Sequence, residues 1–177
     1  MYEVELKIRT PHRPIRDRLN AIGAEPAGTV TQVDTYYDHP VREFAETDEA
    51  FRIRHEADTD GEHAKVTYKG PLVDEGSKTR RELETGVDNG DTMAEIAESV
   101  GFEPAATVKK ERERFRYGEY TITLDTVDGL GEFVEVETEA EAVAPARDGA
   151  IELLERLDLD PDEGIRTSYL GLLLEES

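Results

Sequence analysis

The sequence predicts an α+β fold of about eight strands, most of them antiparallel, with four helices. Short stretches alternate charged and apolar residues with a period of two, longer ones carry apolar residues at helical spacing, and clusters of Gly, Pro and Asp separate them. The clearest alternation begins almost at the N-terminus. Glu3, Glu5, Lys7 and Arg9 fall on one face of a strand, and Val4, Leu6 and Ile8 on the other.

A helix follows over residues 13–24, with Pro14 near its start, Ile15, Leu19 and Ile22 on one face, and Gly23 at its end. Residues 30–37 are rich in β-branched and aromatic side chains and read as a strand that stops at Asp38-His39-Pro40. Residues 50–55 alternate again and put Arg52 and Arg54 together. A turn at 58–61 leads into residues 65–69, which align Lys65 with Lys69 and stop at Gly70-Pro71. Residues 78–85 form the next strand, with Arg80, Glu82 and Glu84 on one face. The helix predicted over 91–100 starts at Asp91 as a cap, buries Met93, Ile96, Ala97 and Val100, and ends at Gly101.

Residues 109–117 carry Lys110, Arg112, Arg114 and Arg116 at alternate positions, and residues 120–127 set Asp125 opposite Ile122 and Leu124. After the turn Asp128-Gly129-Leu130-Gly131, residues 133–138 place Glu135 and Glu137 opposite Val134 and Val136. Helices over 147–157 and 167–175 complete a single domain spanning residues 1–177.

Composition excludes several classes of function. The chain has no cysteine, so disulfides, thiolate catalysis and cysteine zinc sites are ruled out. No apolar run approaches the roughly 18 residues of a membrane span, and the first twenty residues are too charged for a signal peptide. A soluble cytoplasmic protein without a membrane partner is expected. The net charge is −21, with 42 acidic residues against 21 basic ones. With acid spread along the chain, that charge reads as adaptation to high salt, and it disfavours nucleic acid as a partner. The four histidines show no paired ligand spacing: His39 reads as a turn residue and His55 as an apolar-face or edge residue. Tyr36, Tyr37 and Tyr68 read as packing residues.

Most of the basic residues nonetheless fall on or beside the strands, in alternating rows. Such rows suit an anion, because the fork of arginine matches phosphate oxygens. The carboxylates Glu3, Glu5, Asp125, Glu135 and Glu137 alternate in the same way and offer hard oxygen ligands. Polyphosphate with Mg²⁺ or Mn²⁺ would use both sets. Cross-strand ion pairing on solvated faces accounts for the spacing equally well.

These residues also carry a family resemblance. Glu3-x-Glu5-x-Lys7 resembles the signature of the CYTH superfamily, the triphosphate tunnel metalloenzymes. Arg52-x-Arg54, Lys65 and Lys69, Lys110-x-Arg112, Asp125 before Gly129-Leu130-Gly131, and Glu135-x-Glu137 follow in the same order. The stretches 34–40, 47–54, 67–71 and 78–82 are similar to class IV adenylate cyclases and their archaeal relatives.

The resemblance implies an eight-stranded antiparallel barrel, open as a tunnel, with charged faces inward and helices packed outside. It implies Glu3, Glu5, Asp125, Glu135 and Glu137 as metal ligands for Mg²⁺ or Mn²⁺. It implies Lys7, Arg52, Arg54, Lys65, Lys69, Lys110 and Arg112 as phosphate-binding, and Arg166, beside Thr167-Ser168-Tyr169, as a further candidate. Lys7 and Glu5 are the catalytic candidates. The implied activity is conversion of ATP to cyclic AMP and pyrophosphate. The alternatives are hydrolysis of inorganic, thiamine or nucleoside triphosphates in the same tunnel, and binding of nucleotide or polyphosphate without turnover. An exposed tunnel rim or sheet edge would suit a homodimer.

Overall fold

A computed structural model describes residues 1–176. Eight strands run β1 (Tyr2–Arg9), β2 (Glu25–Asp38), β3 (Ala50–Asp58), β4 (Gly61–Leu72), β5 (Lys78–Val87), β6 (Glu103–Tyr117), β7 (Tyr120–Val127) and β8 (Gly131–Ala140). Every pairing is antiparallel, and the sheet closes on itself in the order β1-β5-β4-β3-β2-β6-β7-β8. Closure comes from β1 lying against β8, with Glu5 opposite Glu137 and Lys7 opposite Glu135.

The apolar faces of the strands point outward, and helices cover them. Helices α1 (His12–Ala21) and α4 (Val143–Arg156) bury Ile15, Leu19, Ala150, Leu153 and Leu154 against Leu6, Ile8, Ile122, Leu124, Val134 and Val136. Helix α3 (Gly90–Ser99) lays Ala97, Met93 and Ala94 on Tyr37, Ile53 and Val66. Helix α5 (Tyr169–Glu176) packs Tyr169, Leu170, Leu172 and Leu173 near Val108, Val127, Leu130 and Phe133. With the apolar sides committed to the helices, the charged sides have only the lumen left. An eight-stranded barrel has room there for side chains or one small ligand.

The fifth helix, α2 (Phe44–Thr47), is a single turn of four residues and carries no helical periodicity for the sequence to display. Three strands start well before the alternation predicts, β4 at Gly61 rather than residue 65. β2 begins at Glu25 and passes a bulge between Pro26 and Thr29, where Gly28 has φ +94°. β6 begins at Glu103, because Glu103 and Pro104 pair with Asp38 and Tyr37. The cap of α3 is Asn89, whose side chain accepts the Thr92 amide at 2.9 Å; Asp91, the expected cap, lies one residue inside the helix. α4 begins at Val143 rather than residue 147. His39 holds its turn as expected, accepting the Val41 and Arg42 amides on Nδ1. No helix among the described residues is long and apolar enough to cross a membrane.

Candidate functional site

The lumen holds a cavity of about 1010 Å³ lined by carboxylates and cations, with an apolar stretch beside them. One side is built by neighbouring strands of opposite ends of the chain. β1 supplies Glu3 and Glu5 and β8 supplies Glu135 and Glu137 to its lining, while Asp125 of β7 is fully buried behind them. Glu3, Glu5 and Glu137 each bring a carboxylate oxygen within 4.8 Å of the other two. Burial, then repulsion from Glu3, pushes the Glu137 carboxyl up to about 8. Burial also acts to raise Glu5, but the Lys78 ammonium, 3.4 Å from its Oε2, overrides this and holds it at about 2. The other Glu5 oxygen, Oε1, is buried with no hydrogen-bond partner among the described residues.

This trio passes the test for a hard divalent cation. Three carboxylates meet, one oxygen is left without a donor, and mutual repulsion resists full ionisation until positive charge arrives.

The remaining two predicted ligands are arranged differently. Asp125 accepts both arms of the Arg112 guanidinium at 2.7 Å, and its Oδ2 also accepts the Tyr169 hydroxyl at 2.7 Å. Glu135 accepts the same guanidinium at 3.0 Å. The structure therefore gathers Glu3, Glu5 and Glu137 in one group, and sets Asp125 and Glu135 around Arg112.

The opposite side of the lumen is cationic. Arg52 and Arg54 from β3, Lys65 and Lys69 from β4, Lys110 and Arg112 from β6 all line the cavity. Asp34 on β2 sits among them: it accepts a two-armed bond from Arg54 at 2.7 and 2.8 Å, with Lys110 at 3.6 Å and Arg52 at 3.8 Å. Burial favours the neutral acid, yet the Arg54 bonds and the cations around it drive Asp34 far below the usual carboxylate range. Lys69 reaches Glu3 at 3.7 Å and Glu82 at 3.6 Å, and burial brings its ammonium down to about 8. Lys7 points inward but is fully buried, and its Nζ lies over the Tyr169 ring, 4.2 Å from the centroid. Burial and the charge on Lys78 lower it to about 7.

Arg166 is not brought into this set. Its guanidinium donates to the main-chain carbonyls of Ser77 at 3.2 Å and Asp74 at 2.6 Å, holding the β4–β5 loop. Residues outside the predicted site set also line the cavity, among them Lys78, Arg80, Glu82, Glu84 and Tyr169, and Asp34 is bonded to its cations. Strand parity could have found Lys78, which stands two residues before Arg80. Asp34 shares its face with Gln32 and Tyr36, but no spacing rule says that a carboxylate there meets three cations from two other strands. Tyr36 and Tyr37 both line the cavity; Tyr37 also packs against Phe51, and Tyr68 donates to Glu49 at 2.6 Å.

Comparison with known proteins agrees with this geometry. A protein from Methanocaldococcus jannaschii, provisionally named an adenylate cyclase, is 35% identical over 97% of this chain and 98% of its own. The solved structure of the PH1819 protein from Pyrococcus horikoshii superposes with a TM-score of 0.92 at 37% identity, covering 99% of each chain. A Vibrio parahaemolyticus structure, also provisionally named an adenylate cyclase, gives 0.86 at 27% identity over 98% of each. The CYTH domain model matches residues 1–169, and with the closed charged tunnel this places the chain in the CYTH family of triphosphate-processing, divalent-metal-using proteins.

Proposed function

We propose that this protein is a Mg²⁺- or Mn²⁺-dependent adenylate cyclase, converting ATP to cyclic AMP and pyrophosphate. The observation that carries the reading is the division of the lumen into a carboxylate trio and a facing cation wall within one cavity large enough for a nucleotide. The same cavity continues past Tyr36 to Phe44, Ala45, Ala106 and Leu170. Inorganic triphosphate has no use for that apolar surface, whereas a nucleoside does.

In this reading Arg52, Arg54, Lys65, Lys69, Lys110 and Arg112 bind and align the phosphate chain, with Lys78 and Arg80 added by their place in the lumen. Glu3, Glu5 and Glu137 would hold the cation, with Asp125 and Glu135 keeping Arg112 aimed at the phosphates. When bound, Mg²⁺ or Mn²⁺ would lower the pKa of a hydroxyl and neutralise phosphate charge. The ribose 3′-hydroxyl attacks the α-phosphorus, the bond to the bridging oxygen breaks, and pyrophosphate leaves. The hydroxyl's proton must pass to a base. Lys7, whose ammonium is lowered to about 7, can release and accept a proton near neutral pH; Glu5 is the other candidate.

Product analysis tests this. Purified protein is incubated with ATP and, separately, tripolyphosphate, each with Mg²⁺ or Mn²⁺ in high salt. Cyclic AMP with pyrophosphate is the expected outcome. Orthophosphate without cyclic AMP would replace the cyclase with a triphosphatase, and metal-dependent binding without turnover would replace it with a binder.

A further inference from the structure

Tyr169 stands at the end of the lumen that α5 covers, and it is almost fully buried. Its hydroxyl donates to Asp125, and its ring meets the Phe133 ring edge-on at 5.0 Å. Two ammonium groups approach that same ring: Lys7 Nζ at 4.2 Å and Lys110 Nζ at 5.1 Å from the centroid. Lys7 Nζ has no hydrogen-bond acceptor among the described residues. The carboxylate near Lys110, Asp34 at 3.6 Å, already has both oxygens in the Arg54 fork. A buried ammonium without an acceptor is unfavourable, and an aromatic face within about 6 Å offsets part of that cost through its negative quadrupole. A phosphate arriving beside the ring would supply the acceptor that Lys7 lacks.

We propose that Tyr169 is the positioning residue for Lys7 and Lys110. Its ring holds the two ammoniums at the covered end of the lumen, ready for a phosphate, and its hydroxyl fixes the ring to the Asp125–Arg112 pair. Through this residue α5 becomes part of the phosphate site. The inference rests on the triphosphate reading above.

Three variants of the full chain separate the parts. Tyr169→Phe keeps the ring and removes the hydroxyl. Tyr169→Leu removes the aromatic face. Tyr169→Trp strengthens the face and adds a reporter, since the chain has no other tryptophan. Binding of tripolyphosphate with Mg²⁺ is measured by calorimetry, and kinetics follow on whichever triphosphate the wild type turns over.

The Leu variant should bind about tenfold more weakly, the effect of losing one cation–ring attraction. Its KM should rise by a similar factor and kcat should fall with it, since Lys7 is also the candidate base, and Phe should recover both, a rescue that a role confined to the hydroxyl clamp would not give. The Phe variant should restore binding to within about threefold. If Leu fails to fold, the Trp variant decides: its emission should change saturably with tripolyphosphate as phosphate joins the two cations held beside the ring. Unchanged binding in Leu, a Phe variant as weak as Leu, or silent emission in a Trp variant that binds would overturn the inference alone. A wild type that binds no tripolyphosphate would bring down the triphosphate reading, and this inference with it.

Discussion

Asp125 gives the sharpest test of how the lumen is built. It is fully buried and accepts three hydrogen bonds at 2.7 Å, two from Arg112 and one from Tyr169. Asp125→Asn keeps the shape but removes the charge and turns an NH₂ group toward donors. Breaking a buried ion pair from one side costs about 3–5 kcal/mol, because it strands the partner charge. Arg112 keeps Glu135 at 3.0 Å, so the lower end applies, about 3 kcal/mol. For a chain of this length, that lowers Tm by roughly 6–12 °C. Thermal and urea unfolding of metal-free protein at fixed salt measures it, with the urea slope unchanged. Arg112→Met combined with Asp125→Leu and Glu135→Gln should recover much of the loss, since none of the three charges of the cluster is then stranded. A ligand role predicts otherwise: removing one of several crowded carboxylates would leave the metal-free protein as stable or more so. A loss below about 1 kcal/mol in Asp125→Asn would refute the clamp.

Other measurements probe the remaining parts of the lumen. Mg²⁺ or Mn²⁺ at a hundred times its Kd should stabilise the wild type by about 2.7 kcal/mol, and Glu5→Gln or Glu137→Gln should lose that gain together with activity while remaining folded. Equal metal stabilisation in both variants would remove the trio as the binding site. Glu56 accepts Gln32 at 2.6 Å and Arg114 at 2.8 Å, and is held at about 2 against the opposing pull of burial. A depressed carboxyl contributes stability that is complete above about 4.5 and is lost as pH falls toward 2. The advantage of wild type over Glu56→Gln should therefore shrink by about 1–2 kcal/mol across that window, after discounting for solvent at Lys65. An advantage constant down to pH 2 would contradict it. With a net charge of −21, Tm should rise from 0.1 M to molar salt as the screening length falls from about 10 to about 3 Å; a flat profile would sink the halophilic reading.

The strands were legible because a period of two survives any tertiary arrangement. Which face turned inward was not. A solvated sheet and a closed barrel with a polar lumen write the same alternation, Glu-x-Glu-x-Lys on one side and Val-x-Leu-x-Ile on the other. Only the order of motifs, matched to a family, separated them. Helix α2 was invisible because one turn has no period, and the early start of β6 because Glu103 and Pro104 join the sheet only through Asp38 and Tyr37, more than sixty residues back.

The same limit governs the site. Parity correctly placed Asp125 and Glu135 on the face of the lumen, but said nothing of what each would meet there. That depends on cross-barrel neighbours, and these are set by closure: β1 meets β8 across roughly 130 residues of sequence, a distance local spacing cannot span. Hence Glu5 and Glu137 come together as opposed residues, while Asp125 lies opposite Arg112 in the β6–β7 hairpin and is taken up by it. Arg166 shows the complementary case. It stands three residues before Tyr169, yet the chain between them turns, so Tyr169 enters the lumen while Arg166 ties down the β4–β5 loop. A motif near the C-terminus can thus contribute its aromatic residue to the site and its cation to the scaffold.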